Sequence, residues 1–257
     1  MSLIKFAEEN KEIRISIQSN SKQSVAEESK RRSQISHKES KKLPKQVVDP
    51  EIKKLLDIIK ESTTGQGWSL ALNEKNVTFY KKMTSNSPLV LVKGMAVIEG
   101  IPLEIMWKAI TDIKLRSKWE PIFSSFELIG TNPDGTEILY CIMKTPFPVT
   151  NRDFVHKQTL LLDYPAKGQV VIHFKSIEHS SKPPKSSPVR ANTVISGYLI
   201  KEMSKFPLRC AIHVVTQVDM KGSLPKALIN SFAAGGSRDW VEKFKKGCVD
   251  IMRNIRV

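Results

Sequence analysis

The chain has 257 residues and carries 41 lysines and arginines against 26 aspartates and glutamates, a formal charge of +15. Its 40% hydrophobic content is enough for a real core, but no apolar run approaches the roughly 18 residues that a membrane-spanning helix needs. The first nine residues lack an apolar secretory segment and its cleavage site, and Ser2 departs from the N-myristoylation pattern. Excess positive charge favours anionic partners, for which membrane surfaces and nucleic acids qualify equally at this level.

Residues 1–48 read as a disordered basic tail. They hold one aromatic, Phe6, among Ser, Lys, Glu, Gln and Asn, and they carry +5 of the net charge. Such a segment cannot bury enough apolar surface to offset its ordering entropy. A folded domain is expected over 49–257. Asp49 suits an N-cap and Pro50 a first helical turn, and Ile52, Leu55, Leu56, Ile58 and Ile59 form a helical stripe ending near Thr64-Gly65. Short strands are predicted at Trp68 to Leu72, Val77 to Lys81 and Leu89 to Val97. Pro102 opens a second helix through Ile113. Six strands follow, at 126–129, 137–144, 153–162, 169–174, 189–200 and 209–218, with Asn132-Pro133-Asp134-Gly135 and Pro183-Pro184 among the turns. Pro225 then starts a long terminal helix. Strand runs closed by a helix indicate an antiparallel α+β domain rather than a parallel βαβ one.

Catalytic signatures are missing. Gly65-Gln66-Gly67 is only two glycines at a helix end, and there is no phosphate-cradling loop and no nucleophile elbow. His173 and His179 lack Cys or carboxylate neighbours at ligand spacing, so no metal and no catalytic residue is expected. The lysines are scattered, without a recognition helix or an interleaved aromatic and basic strand, which argues against nucleic acid. Cys141, Cys210 and Cys248 are few, odd in number and far apart, as in a reducing, cytoplasmic compartment.

At Lys144-Thr145-Pro146-Phe147-Pro148-Val149-Thr150-Asn151-Arg152-Asp153-Phe154-Val155 the sequence stops being generic. Together with Asp112-Ile113-Lys114-Leu115-Arg116-Ser117-Lys118-Trp119-Glu120, it resembles the START (steroidogenic acute regulatory protein-related lipid transfer) family. Pro188 to Tyr198 and Asp219 to Asn230 agree in order and spacing, so the resemblance runs over roughly residues 50 to 255. The Pro-Phe-Pro-x-x-Asn-Arg-Asp segment is most similar to the phosphatidylcholine transfer protein-like branch. The resemblance implies a helix-grip fold, a curved antiparallel sheet around the C-terminal helix, enclosing a hydrophobic tunnel for one lipid. It implies no covalent chemistry and no cofactor other than the bound lipid.

By the same resemblance, Arg116 meets a lipid phosphate, for which a guanidinium fork is suited. A buried arginine must also find a headgroup or carboxylate near it. The lipid-facing set is expected to be Arg116, Trp119, Tyr140, Cys141, Met143, Phe154, Val194 and Ser196. The branch's aromatic choline cage maps onto Cys141, Phe154, Val194 and Ser196, of which Phe154 alone is aromatic, so the headgroup stays open. The loop Pro146-Phe147-Pro148-Val149 is the expected membrane-touching gate, with Phe232, Trp240 and Phe244 on the closing helix. Arg152, Asp153, Arg190 and Asp219 read as structural braces. The expected protein is a monomeric, cytoplasmic carrier of a phospholipid, peripherally bound to anionic membranes. The alternative is a lipid-gated sensor or tether without transfer turnover.

Overall fold

The computed structural model describes residues 49–83, 89–222 and 235–255. Asp49 and Pro50 begin helix α1 (Pro50–Lys60) as their chemistry requires: the Asp49 carboxylate accepts from the Glu51 amide at 2.9 Å. Ile52, Leu55 and Leu56 form its buried face. The helix stops at Lys60, short of the expected Thr64-Gly65. There the Lys93 ammonium donates to the carbonyls of Ile58 (3.1 Å) and Glu61 (2.5 Å), satisfying groups that another helical turn would otherwise have bonded.

The strands are β1 (Ser69–Glu74), β2 (Val77–Met83), β3 (Val90–Glu99), β4 (Phe123–Thr131), β5 (Glu137–Met143), β6 (Arg152–Leu162), β7 (Gln169–Ser176), β8 (Val189–Arg190), β9 (Asn192–Lys205) and β10 (Leu208–Asp219). They form one sheet in the order β1-β2-β3-β10-β9-β7-β6-β5-β4, with β8 parallel to β6 and every other pairing antiparallel. The segment predicted as one strand over 189–200 is two, divided at Ala191, whose amide bonds the Asp153 carbonyl at 3.0 Å.

Helices α2 (Leu103–Thr111), α3 (Ile113–Trp119) and α4 (Gly235–Ile255) lie against the inner face. Phe174 of β7, Tyr198 and Ile200 of β9, and Ile212 and Val214 of β10 form one core with Val241, Phe244, Cys248 and Ile251 of α4. Apolar residues at every second strand position meet a helical stripe at steps of three and four, burying both. This is the expected α+β helix-grip arrangement. One further feature departs from expectation, the additional short helix α3; the predicted start of the last helix at Pro225 and the 1–48 tail lie outside the described residues.

Helix α1 packs on the opposite face, against β9 and β10. Gly197 permits this approach, because a Cβ there would stand 2.7 Å from the Leu55 side chain and 2.5 Å from the Ile172 carbonyl. The register places the β5–β6 loop at one end of the sheet, where β10 finishes. The β9–β10 hairpin, bearing Phe206 at 95% exposure, lies at the other.

Candidate functional site

Asp112 starts α3 by accepting from the amides of Lys114 (2.8 Å) and Leu115 (3.2 Å). This cap sets the turn so that Arg116 and Trp119, three residues apart, share the buried face. Arg116 is 9% exposed. Its Nε donates to Glu120 Oε2 at 2.5 Å, and its guanidinium carbon lies 5.2 Å from the ring centres of Phe126 and Phe174 and 5.6 Å from that of Phe123. Three aromatic faces therefore surround the cation, an arrangement that favours positive charge.

Glu120 also reaches α4. Its Oε1 accepts from the indole N–H of Trp240 at 3.1 Å. Trp240 stacks on Tyr198 (5.6 Å, 9°) and on Phe244 (5.2 Å, 9°), while Trp119 meets Trp240 and Phe244 edge-on. Trp119 is itself fixed, its indole donating to the Ala109 carbonyl at 2.8 Å. A further series of ring contacts runs from Tyr198 through Phe174, His156 and Phe154 to Phe123.

The electrostatics are those of one buried ion pair among neutral groups. Burial alone would weaken the hold of Arg116 on its proton, but the charge and hydrogen bond of Glu120, with a smaller part from Tyr198, more than offset this, so the guanidinium stays charged. Burial, and then the nearby Arg116 charge, depress His156 to about 3. The ring is neutral and hydrogen-bonds Thr193 Oγ1 at 2.8 Å. Burial pushes the Cys141 thiol up to about 12 and raises Tyr198 as well.

Arg116 and Trp119 thus lie in the interior, at the seam with α4. Cys141, Met143 and Phe154 pack together beside Ala191, and Ser196 is half-buried opposite Phe174. Tyr140 does not join them. Strand alternation puts it on the other face from Cys141 and Met143, where its ring lies 4.6 Å from the Lys182 ammonium. Val194 is 39% exposed in a β-bulge, since β10 pairs with Ile195 and Thr193 around it. Trp240 and Phe244 point into the sheet instead of outward, Phe244 being fully buried. Phe232 lies outside the described residues.

The β5–β6 loop projects. Pro146, Phe147 and Pro148 are exposed, Phe147 at 97%, while Val149 is half-buried. Its base is tied by Thr145, whose hydroxyl donates to the Val149 carbonyl (2.7 Å) and whose amide donates to Asn151 Oδ1 (3.1 Å). Arg152 fastens the next segment to the end of β10 through the carbonyls of Met220 (2.6 Å) and Lys221 (3.0 Å). Asp153 pairs with Arg190 through two bonds of 3.0 and 2.9 Å.

Glu120, His156, Phe174 and Tyr198 belong to the site but were not singled out from the sequence. For Glu120 the signal was there: a carboxylate four residues after a buried arginine on a helix. Between α3 and α4 an open cleft of about 370 Å³ is lined by Leu115, Trp119 and Ile251, with Lys118, Lys243 and Lys246 beside them. Among the described residues no group of three or more His, Cys, Asp or Glu side chains is gathered to hold a metal. No described helix is long and apolar enough to cross a membrane.

Comparison with known proteins gives a consistent result. The model of the START domain matches residues 56–249. START domain-containing protein 10 of Mus musculus is 28% identical over 185 residues, which cover 71% of this chain and 62% of that protein, so the chain spans less than two thirds of it. Phosphatidylcholine transfer protein of Mus musculus is 26% identical over 193 residues, covering 75% of this chain and 88% of that protein. The crystal structure of human STARD10 superposes with a TM-score of 0.69 at 25% identity, covering 82% of each chain.

Proposed function

This chain belongs to the START domain family, and from that premise we propose that it carries one lipid, a phospholipid, between membranes and catalyses no reaction. The observation that supports this reading best is the Arg116–Glu120 pair, buried among aromatic rings where the sheet meets α4. Removing a lipid from its bilayer costs about 0.8 kcal/mol per methylene exposed to water, so roughly a dozen methylenes cost on the order of 10 kcal/mol. An apolar interior removes that cost. A dry site then needs a charged, bidentate donor for the phosphate, and Arg116 is one.

Trp119, Tyr198, Trp240 and Phe244 fill the seam, so a tunnel opens there when α4 moves off the sheet. Cys141, Met143, Phe154 and Ser196 would line its far wall. The Phe147 tip enters the bilayer, and Lys118, Lys243 and Lys246 rest on anionic headgroups, each such charge contributing about 1 kcal/mol near the surface. The carrier acts as a monomer in the cytoplasm, peripherally at the membrane.

The test is transfer of fluorescent phospholipid between vesicles at substoichiometric protein. Replacing Arg116 alone would strand Glu120 as a buried unpaired charge and cost about 3–5 kcal/mol of stability. The double variant Arg116→Met/Glu120→Gln removes both charges and is expected to keep the fold while abolishing phospholipid transfer. Undiminished transfer would remove Arg116 from the site, and binding without turnover would make the protein a sensor.

A further inference from the structure

Glu120 stands between two things that a carrier must coordinate. One carboxylate oxygen holds the Arg116 guanidinium at 2.5 Å and the other holds the Trp240 indole at 3.1 Å, across 120 positions of chain. Arg116 lies on α3, whereas Trp240 lies on α4, the helix whose displacement opens the tunnel in the function proposed above. Glu120 is 7% exposed, so water competes poorly for either bond.

We propose that Glu120 and Trp240 form a latch that reads the occupancy of Arg116: an anionic group arriving at the guanidinium takes the place of Glu120, and the carboxylate, turning away, lets go of the Trp240 indole and loosens α4. This inference rests on the reading of Arg116 as a headgroup site. Its physical basis is competition. A guanidinium fork facing both a carboxylate and a phosphate binds the better-placed bidentate acceptor. A carboxylate that loses its guanidinium inside a low-dielectric seam cannot remain there unpaired and must swing to water. Its second bond goes with it.

What remains at Trp240 after release is aromatic contact alone, while α4 keeps the apolar packing of Val241, Cys248 and Ile251 on the sheet. Trp240 keeps its stacking on Tyr198 and Phe244, which is weakly directional and tolerates sliding. The latch therefore sets how firmly α4 is closed without being the whole of its attachment. It also gives direction to the cycle: the empty domain is latched and the loaded one is unlatched, so the latch opposes loading and eases release of the cargo. A ligand shifts such an equilibrium only by its differential affinity for the two states. Here that difference is the displaced Glu120 pair.

The variant Trp240→Phe keeps a ring between Tyr198 and Phe244 and deletes only the donor. Amide hydrogen exchange along α4 is measured in the wild type and the variant, each before and after incubation with vesicles of equimolar phosphatidylcholine and phosphatidylethanolamine. Lipid uptake is read separately by mass spectrometry of the protein recovered free of vesicles. The latch predicts roughly tenfold faster α4 exchange in the loaded than in the empty wild type, from loss of a hydrogen bond to a charged acceptor. It predicts comparably fast exchange in empty Trp240→Phe, with little further change on loading. A merely structural Trp240 would shift both states by the same factor and leave the loading effect intact, which would overturn the latch. In the unaltered protein, the indole N–H resonance of Trp240 must move upfield on loading as its carboxylate acceptor departs, and an unmoved resonance also overturns it. Uptake with no change at α4 removes the latch alone. No uptake by the wild type removes the carrier reading and the latch together.

Discussion

Gly247 sits on α4 directly over Trp119. A Cβ built there would lie 2.4 Å from Trp119 Cβ, 2.6 Å from Cγ and 2.9 Å from Cδ1. Carbon atoms separate to about 3.5–4.0 Å, so Gly247→Ala requires a shift of more than ~1 Å. Trp119 has little freedom to provide it, being bonded to Ala109 and wedged against Trp240 and Phe244. Two opposed effects decide the sign. Alanine in a helix interior is worth about 1 kcal/mol over glycine, whereas forcing a methyl into a packed seam costs about 1–3 kcal/mol. If α4 lifts by an ångström, the 3.1 Å Trp240–Glu120 bond passes beyond hydrogen-bonding range as well, adding about 1.5–3 kcal/mol. The expected outcome is net destabilisation of about 2 kcal/mol or more in urea unfolding, with the m-value unchanged. A variant stabilised by about 1 kcal/mol would show that Trp119 yields and that α4 is not seated as described.

Phe147→Ser should leave stability untouched, since the side chain is 97% exposed. It should weaken vesicle co-sedimentation roughly tenfold or more, from the ~1.5–3 kcal/mol a phenylalanine gains on burial; unchanged sedimentation would take the loop off the membrane. Burial depresses His156 to about 3 in the fold, from its ordinary value of 6.5. Between these limits the unfolded chain binds a proton that the folded one refuses, so stability is present above pH 6.5 and declines as pH falls towards 3. The slope from this residue is about 1.4 kcal/mol per pH unit. His173 and His213 act in the same direction. Thermal melts of His156→Gln from pH 7 to pH 4 should therefore show a shallower loss of stability than wild type, and an equal slope would refute a neutral, buried His156.

Much of the architecture was legible because local chemistry and burial agree. Asp49-Pro50 marks the start of α1, alternating residues mark the long central strands, and steps of three and four from Trp240 to Ile251 mark α4. Helix α3 escaped detection because its seven residues place Ile113 and Leu115 two apart, which mimics a strand, and because so short a segment cannot establish a helical period. Its one clear signal is the Asp112 cap. At the site, Arg116 was identifiable from the motif around it, and its need for a partner followed from burial. That Glu120 supplies this partner could have been read from the i, i+4 spacing; that Glu120 also holds Trp240 could not, since only the tertiary fold brings α3 and α4 together. Tyr140 shows a missed use of pleating: next in sequence to Cys141, it cannot share a sheet face with it. Val194 could not be foreseen, because its exposure depends on a bulge set by pairing with β10.

All three thiols of this chain are buried, at Cys141, Cys210 and Cys248, and burial raises them to about 12, 11 and 12. At neutral pH almost none of their sulfur is thiolate, the form that reacts with maleimides and iodoacetamides. The native protein is consequently a silent background for site-directed labelling. A cysteine placed at position 147 or 206, on tips projecting from opposite ends of the sheet, would take a dye alone, and each end could then report its own immersion depth in a bilayer.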